Sequence, residues 1–159
     1  MPLQHIIYDL NIGQVDGIRK ITSKEQGGVT CNFSAPVTSQ GLTKIYVLTS
    51  PAGEFVYVGH TIRSIGQISL RSNTPYNYKW LTVGSWEKLH LHVFLLEIDS
   101  AVTDTKLYGE AIEAEVVWLI RSKTGYWPLG QNEIHFNNNF STKSKEEARV
   151  IFDLLSSPQ

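Results

Sequence analysis

The chemistry this chain can offer is concentrated in a pair of phenols, one carboxylate in an apolar setting and a few imidazoles. Tyr46 and Tyr57 sit in two short runs, KIYVLT over 44–49 and EFVYVG over 54–59, with SPAG between them. Each run alternates with period two and is rich in β-branched and aromatic residues, which predicts a β-hairpin. Pro51 suits the first central position of a type I turn, and Gly53 can take the positive φ that closes a four-residue loop. A symmetric loop over 50–53 pairs Thr49 with Glu54 and, further in, Tyr46 with Tyr57, so the two phenols are expected to oppose each other on one sheet face. A phenol titrates near pH 10 and acts as a base at neutral pH only where positive charge stabilises the phenolate.

The carboxylate is Glu115, in the run YGEAIEAEVVWLIR. At about 100° per residue, Leu107, Ala111, Ala114 and Trp118 fall on one side of it and Tyr108, Ile112 and Leu119 on the other. Glu115 is thus expected in the middle of an apolar helix face, turned toward the tyrosine pair, with Glu113 pointing away into solvent. A carboxylate facing a core needs a buried Arg or Lys partner, or a metal ion. One carboxylate suffices for Mg²⁺, which keeps several waters and takes one or two protein carboxylates beside substrate phosphate. The five histidines lack zinc-type spacing; His90 and His92 share one face of a strand as surface residues, and His135 reads as a satisfied structural histidine.

Around these residues the chain mixes strands and helices. IIYDL (6–10) and VTCNFS (29–34) read as short strands, with a helix over Asp16–Ser23 between them. A short helix is expected over 64–72, then an aromatic loop over 73–86 in which Tyr76, Tyr78, Lys79 and Trp80 put rings beside a base. LHVFLLEI (91–98) is almost wholly apolar and reads as a central strand buried on both faces. A helix over 105–123 ends at Gly125, and GYWPLGQNEIHF (125–136) is a turn leading into a short strand. SKEEARVIFDLL (144–155) is a helix with Ser144 and Glu147 forming a capping box. The class is α+β, a small and mostly antiparallel sheet flanked by helices. Residues 1–43 read as an N-terminal extension packed on a domain over 44–159, the whole forming one globular unit.

With 159 residues, 42% hydrophobic and 18% charged, the chain can bury a sizeable core. A net charge of −1 excludes a strongly basic nucleic-acid binder, so any grip on phosphate must be local. The single cysteine, Cys31, makes no intrachain disulfide. MPLQHIIYDL lacks the pattern of a signal peptide and Val116–Ile120 is the longest apolar stretch, so a soluble, cytoplasmic protein is expected. There is no phosphate-binding glycine loop, serine elbow or dinucleotide fingerprint.

From residue 44 to about 136 the order of these features resembles the GIY-YIG nucleases. IYV at 45–47 stands where GIY would, with Ile45 in place of the glycine; YVG at 57–59 stands where YIG would, and YVGHT is similar to the family's YIGKT, with His60 in the lysine position. The resemblance implies a GIY-YIG-like fold and an endonuclease that hydrolyses phosphodiester bonds with one Mg²⁺ or Mn²⁺. It implies Tyr46 as general base or water-orienting group beside Tyr57, with His60 lowering its effective pKa. Glu115 would be the metal ligand, since EVVWLIR is similar to the family's glutamate followed by a Leu-Ile pair. Arg71, with Arg63 as the alternative, would hold the scissile phosphate, and Asn132 in PLGQN takes the place of the family's asparagine, with Gln131, Glu133 and His135 nearby. Arg63, Tyr78 and Lys79 would contact nucleic acid, DNA being the expected form. Nothing resembles a separate recognition domain, so a homodimer, a partner protein or residues 1–43 would supply specificity. A non-catalytic module of the same fold, and an unrelated α+β protein whose tyrosines merely pack, are the competing readings.

Overall fold

The structure is a computed structural model that describes residues 4–66, 86–137 and 141–157. Arg71, Tyr76, Tyr78, Lys79, Trp80 and all but 64–66 of the expected helix over 64–72 lie outside these residues, and 64–66 are not helical. Among the described residues six strands form one antiparallel sheet: β1 (Gln4–Val15), β2 (Ile18–Gln26), β3 (Val29–Cys31), β4 (Lys44–Thr49), β5 (Phe55–Thr61) and β6 (Lys88–Leu95). Their spatial order is β3-β2-β1-β6-β4-β5. Two helices follow, α1 (Thr105–Thr124) and α2 (Ser141–Ser156). The class is α+β, and no helix among the described residues is long and apolar enough to cross a membrane.

The segment over residues 4–31 supplies three strands of the sheet itself. The helix expected over 16–23 is instead strand β2, because Asp16 and Gly17 both take positive φ (54° and 77°) and close a two-residue hairpin in which Val15 faces Ile18. Asp-Gly between strands is the residue pair that such a turn demands. β1 then pairs with β6, whose other edge pairs with β4, so β6 is the central strand the apolar run implied, over 88–95.

The β4–β5 hairpin forms where expected, but its register differs. Ser50 N–H donates to Glu54 O (2.9 Å), Gly53 N–H donates to Ser50 O (2.9 Å) and Gly53 has φ 86°. The loop therefore holds three residues, a type I turn followed by a left-handed glycine. Leu48 faces Tyr57 and Thr49 faces Phe55, which leaves Val56 as an extra residue in β5. Together these offsets place Tyr46 opposite Gly59 instead of Tyr57. The two rings still share one face, as diagonal neighbours stacked with centroids 6.1 Å apart. A Cβ on Gly59 would overlap Cζ and Oη of Tyr46, so the glycine of YVG is the seat of that ring.

The sheet has a core on each face. Tyr46, Tyr57, Leu48, Leu91, Val93, Tyr8 and Leu10 pack on one side with Val37 and Ile65. Ile45, Val47, Val58 and Phe94 pack on the other beneath Tyr108, Ile112, Val116 and Leu119 of α1 and Ala148 and Ile151 of α2. Both helices thus lie on the face away from the tyrosine rings. Lys44 is 0% exposed, and its Nζ donates to the carbonyls of Ser39 (2.7 Å), Leu42 (3.1 Å) and Arg63 (3.0 Å). Three acceptors satisfy the three N–H bonds of the ammonium, while burial lowers its pKa.

α1 starts at the cap Asp104, whose carboxylate accepts from Leu107 N–H at 3.0 Å, and ends at Gly125 with φ 81°. α2 begins three residues before the expected cap. Ser144 and Glu147 therefore lie inside the helix and are buried, not a capping box at its start. The strand expected within 125–136 is absent. That segment is an irregular strap along the free edge of β5: Leu129 N–H donates to Phe55 O (3.0 Å) and Gly130 N–H to Val56 O (2.8 Å). Gln131 then uses its side chain as a strand would use its backbone, accepting from Val58 N–H (2.9 Å) and donating to Val58 O (2.7 Å). An open sheet edge is thereby covered.

Candidate functional site

A cleft of about 500 Å³ opens between α1, the end of β5 and the strap, lined by Tyr57, His60, Glu110, Glu113, Asn132 and His135 among others. Alternation along β5 turns Val58 and His60 toward the helices, opposite to Tyr57 and Gly59. His60 Nδ1 meets a carboxylate oxygen of Glu113, and both side chains are half-buried. Gly109 permits this approach. A Cβ there would stand 3.1 Å from Thr43 Cγ2 and 3.4 Å from His60 Cδ2, so a larger residue would push α1 off the strand.

Glu113, not Glu115, is therefore the helix carboxylate in the cleft. The buried stripe of α1 runs through Tyr108, Ile112, Val116 and Leu119, whereas Trp118 is 47% exposed. Counting Leu107 and Trp118 as core had rotated the apolar face onto Glu115. Averaged over all nine buried residues of the helix, the stripe leaves Glu113 and Glu115 on opposite flanks, each about 80° from its centre. Glu113 faces β5. Glu115 is half-buried on the other flank, and the sheet separates it from the tyrosine rings. The apolar residues Val117 and Ile120 on the Glu113 side, left out of the expected face, were the available signal for this.

Three residues expected from the family resemblance, Tyr57, His60 and Asn132, do line the cleft. Tyr46 does not; it is 4% exposed beneath Tyr57 on the far face. Arg63 is exposed, with its carbonyl accepting from Lys44. Arg71, Tyr78 and Lys79 are outside the described residues. Glu110 and Gln131 were not anticipated as a pair of cleft walls. Glu110 accepts from Asn137 Nδ2 at 3.3 Å, the same amide that donates to Leu107 O at 3.1 Å, tying the end of the strap to α1. His135 is exposed at the rim and pairs with Glu133 at 3.2 Å.

Among the described residues no three His, Cys, Asp or Glu side chains converge as a cage for a metal ion. A Mg²⁺-like site does not require one. Glu110 and Glu113 with the amide of Asn132 give the hard oxygen donors such an ion prefers, and substrate phosphate and water would complete its shell. The carboxylates of Glu110, Glu113 and Glu133 also make the cleft acidic, so a phosphate entering it would be repelled unless a cation neutralised them.

A second polar cluster lies on the helix side of the sheet over β1, β4 and β6. His92 is 6% exposed, with Nδ1 3.0 Å from His5 Nε2 and Nε2 3.1 Å from Thr49 Oγ1. Burial, then the nearby His5 and His90, push its pKa down to about 4, against a small opposing pull from Asp9. His92 is thus a core residue, not a surface one, while His90 is half-exposed and bonds Asp9 at 2.6 Å. Comparison of the chain with protein-family models, curated proteins and solved structures finds no match in any of the three.

Proposed function

We propose that the cleft hydrolyses phosphodiester bonds of nucleic acid with the help of one divalent cation, in the manner of a GIY-YIG-like endonuclease. The observation that supports this is the pairing of His60 with the Glu113 carboxylate in a cleft that Glu110 and Asn132, from separated parts of the sequence, also line. Glu113 orients His60 through Nδ1, and the imidazole's other nitrogen takes the proton of the attacking water. That role passes from Tyr46, whose ring is buried on the wrong side of the sheet, to His60. Asn132, exposed on the strap, flanks the reacting phosphate. Glu110 and the second oxygen of Glu113 would hold Mg²⁺ or Mn²⁺, which supplies neutralisation of the phosphate charge when bound.

The burial of Tyr46 favours one rival, a binding module of similar architecture without catalysis. Incubating the purified chain with supercoiled DNA, linear DNA, single-stranded DNA and RNA, with Mg²⁺ or with chelator, separates the two. Metal-dependent nicks in any of them support hydrolysis; binding with no cleavage under any condition establishes the rival.

A further inference from the structure

The C-terminal turn of α1 carries a surface that hydrolysis in the cleft leaves unused. Trp118 is 47% exposed and Tyr126 is 77% exposed, with Leu129 exposed between this surface and the cleft. Large rings left in water forfeit burial energy, and a cluster of them marks a contact surface more often than isolated residues do. The cluster is continuous with the cleft. Trp118 lies one turn beyond Ala114 and Arg121 one turn beyond Val117, and Ala114, Val117 and Leu129 all line the cleft wall.

Its charge is opposite to that of the cleft. Arg121 and Lys123 occupy the last turn of α1, whereas Glu110 and Glu113 occupy the turns beside His60. The Arg121 guanidinium stands 5.6 Å from the centre of the Trp127 ring and donates to Gly125 O. A guanidinium has five N–H groups, so this leaves donors for a phosphate oxygen. Rings alternating with cations are what a flexible nucleic-acid strand requires, since bases stack on the rings while phosphates meet the cations. In a duplex the base faces are already stacked on one another and are unavailable to such rings. A net charge of −1 also gives little sequence-independent grip on duplex backbone.

Building on the reading of the cleft as a phosphodiester-cleaving site, we propose that this surface seats an unpaired strand. Its bases rest on Trp118 and Tyr126, a phosphate on Arg121, and it passes Leu129 to reach the His60–Glu113 pair. The preferred substrate is accordingly single-stranded nucleic acid or an unpaired segment beside a duplex.

The test uses the full chain carrying Glu113→Gln, in Mg²⁺, with a fluorescent single-stranded DNA 12-mer and the same sequence as duplex. Anisotropy should show the single strand bound at least tenfold more tightly. Trp118→Ala and Arg121→Gln, each added singly, should weaken single-strand binding about tenfold without lowering the melting temperature. Equal or tighter binding of duplex, or single-strand binding unmoved by Trp118→Ala, overturns the proposal and would mark the rings as a contact for another protein. Cleavage of single strands and duplexes at equal rates by the wild type overturns this inference but not the hydrolytic reading. Ring-dependent capture of single strands that the wild type never cleaves overturns the hydrolytic reading and retains the surface.

Discussion

Gly59 is where backbone and core meet most tightly, because the ring of Tyr46 lies over its Cα and leaves no room for a Cβ. Gly59→Ala should cost about 1–3 kcal/mol, the usual range for overpacking a filled core. Denaturant unfolding checks this, and the cost should shrink in a Tyr46→Ala background where the ring is gone; an equal cost in both backgrounds would remove the explanation. Lys44 illustrates the opposite case, a buried cation held by three carbonyl partners. Lys44→Met keeps most of the volume but leaves those carbonyls unpaired, which should cost about 3 kcal/mol. At this scale the sequence disclosed residue types more readily than directions. Tyr57, His60 and Asn132, named from the family resemblance, do line the cleft, but Glu113 was mistaken for a solvent residue because Trp118, large and apolar, was counted as core although it is exposed.

Among the elements, β6 and the body of α1 were readable because a long apolar run and a long periodic stretch each admit few alternatives. The β4–β5 strands were equally clear, yet their register was not. Loop length and the extra Val56 are decided by turn hydrogen bonds and by packing under the strap, neither of which alternation records. β2 was missed although Asp16-Gly17 announced its turn, because its charged, alternating residues bury little. The strap was misread as a strand; its hold on β5 runs partly through the side chain of Gln131, which no sequence pattern records. Removing that pairing gives a prediction at the same scale: Gln131→Ala should destabilise by about 1–2 kcal/mol and sharply raise the hydrogen-exchange rate of the Val58 amide. Unchanged protection of Val58 would mean that the strap does not hold the edge.

For the molecule as a whole, one sheet serves two cores, and the chemistry collects where its helix-covered face reaches the free edge of β5. The same face holds the His92 cluster, which couples pH to stability. His92 has a folded pKa of about 4 against an ordinary value of 6.5. The unfolded chain therefore binds more protons between those values, and stability must rise with pH through that window. The contribution is complete above 6.5 and is lost as pH falls toward 4, amounting to about 3 kcal/mol. His5, His90 and Asp9 face the same ring. Glu147, whose carboxyl is raised by burial, works in the opposite direction, so the effect is isolated by comparing wild type with His92→Gln. Melting temperatures at pH 7.5 and pH 4.5 should differ less in the variant; an equal difference would place the acid sensitivity elsewhere.

The central claim concerns which carboxylate of α1 serves the cleft, and two isosteric variants decide it. Cleavage rates in Mg²⁺ should fall by at least about 100-fold in Glu113→Gln, within the range a positioned acid–base group supplies. Glu115→Gln, on the opposite flank of the helix, should stay within about threefold of wild type while melting at the same temperature. Activity retained in Glu113→Gln and lost in Glu115→Gln, with both proteins folded, would contradict the assignment of the site.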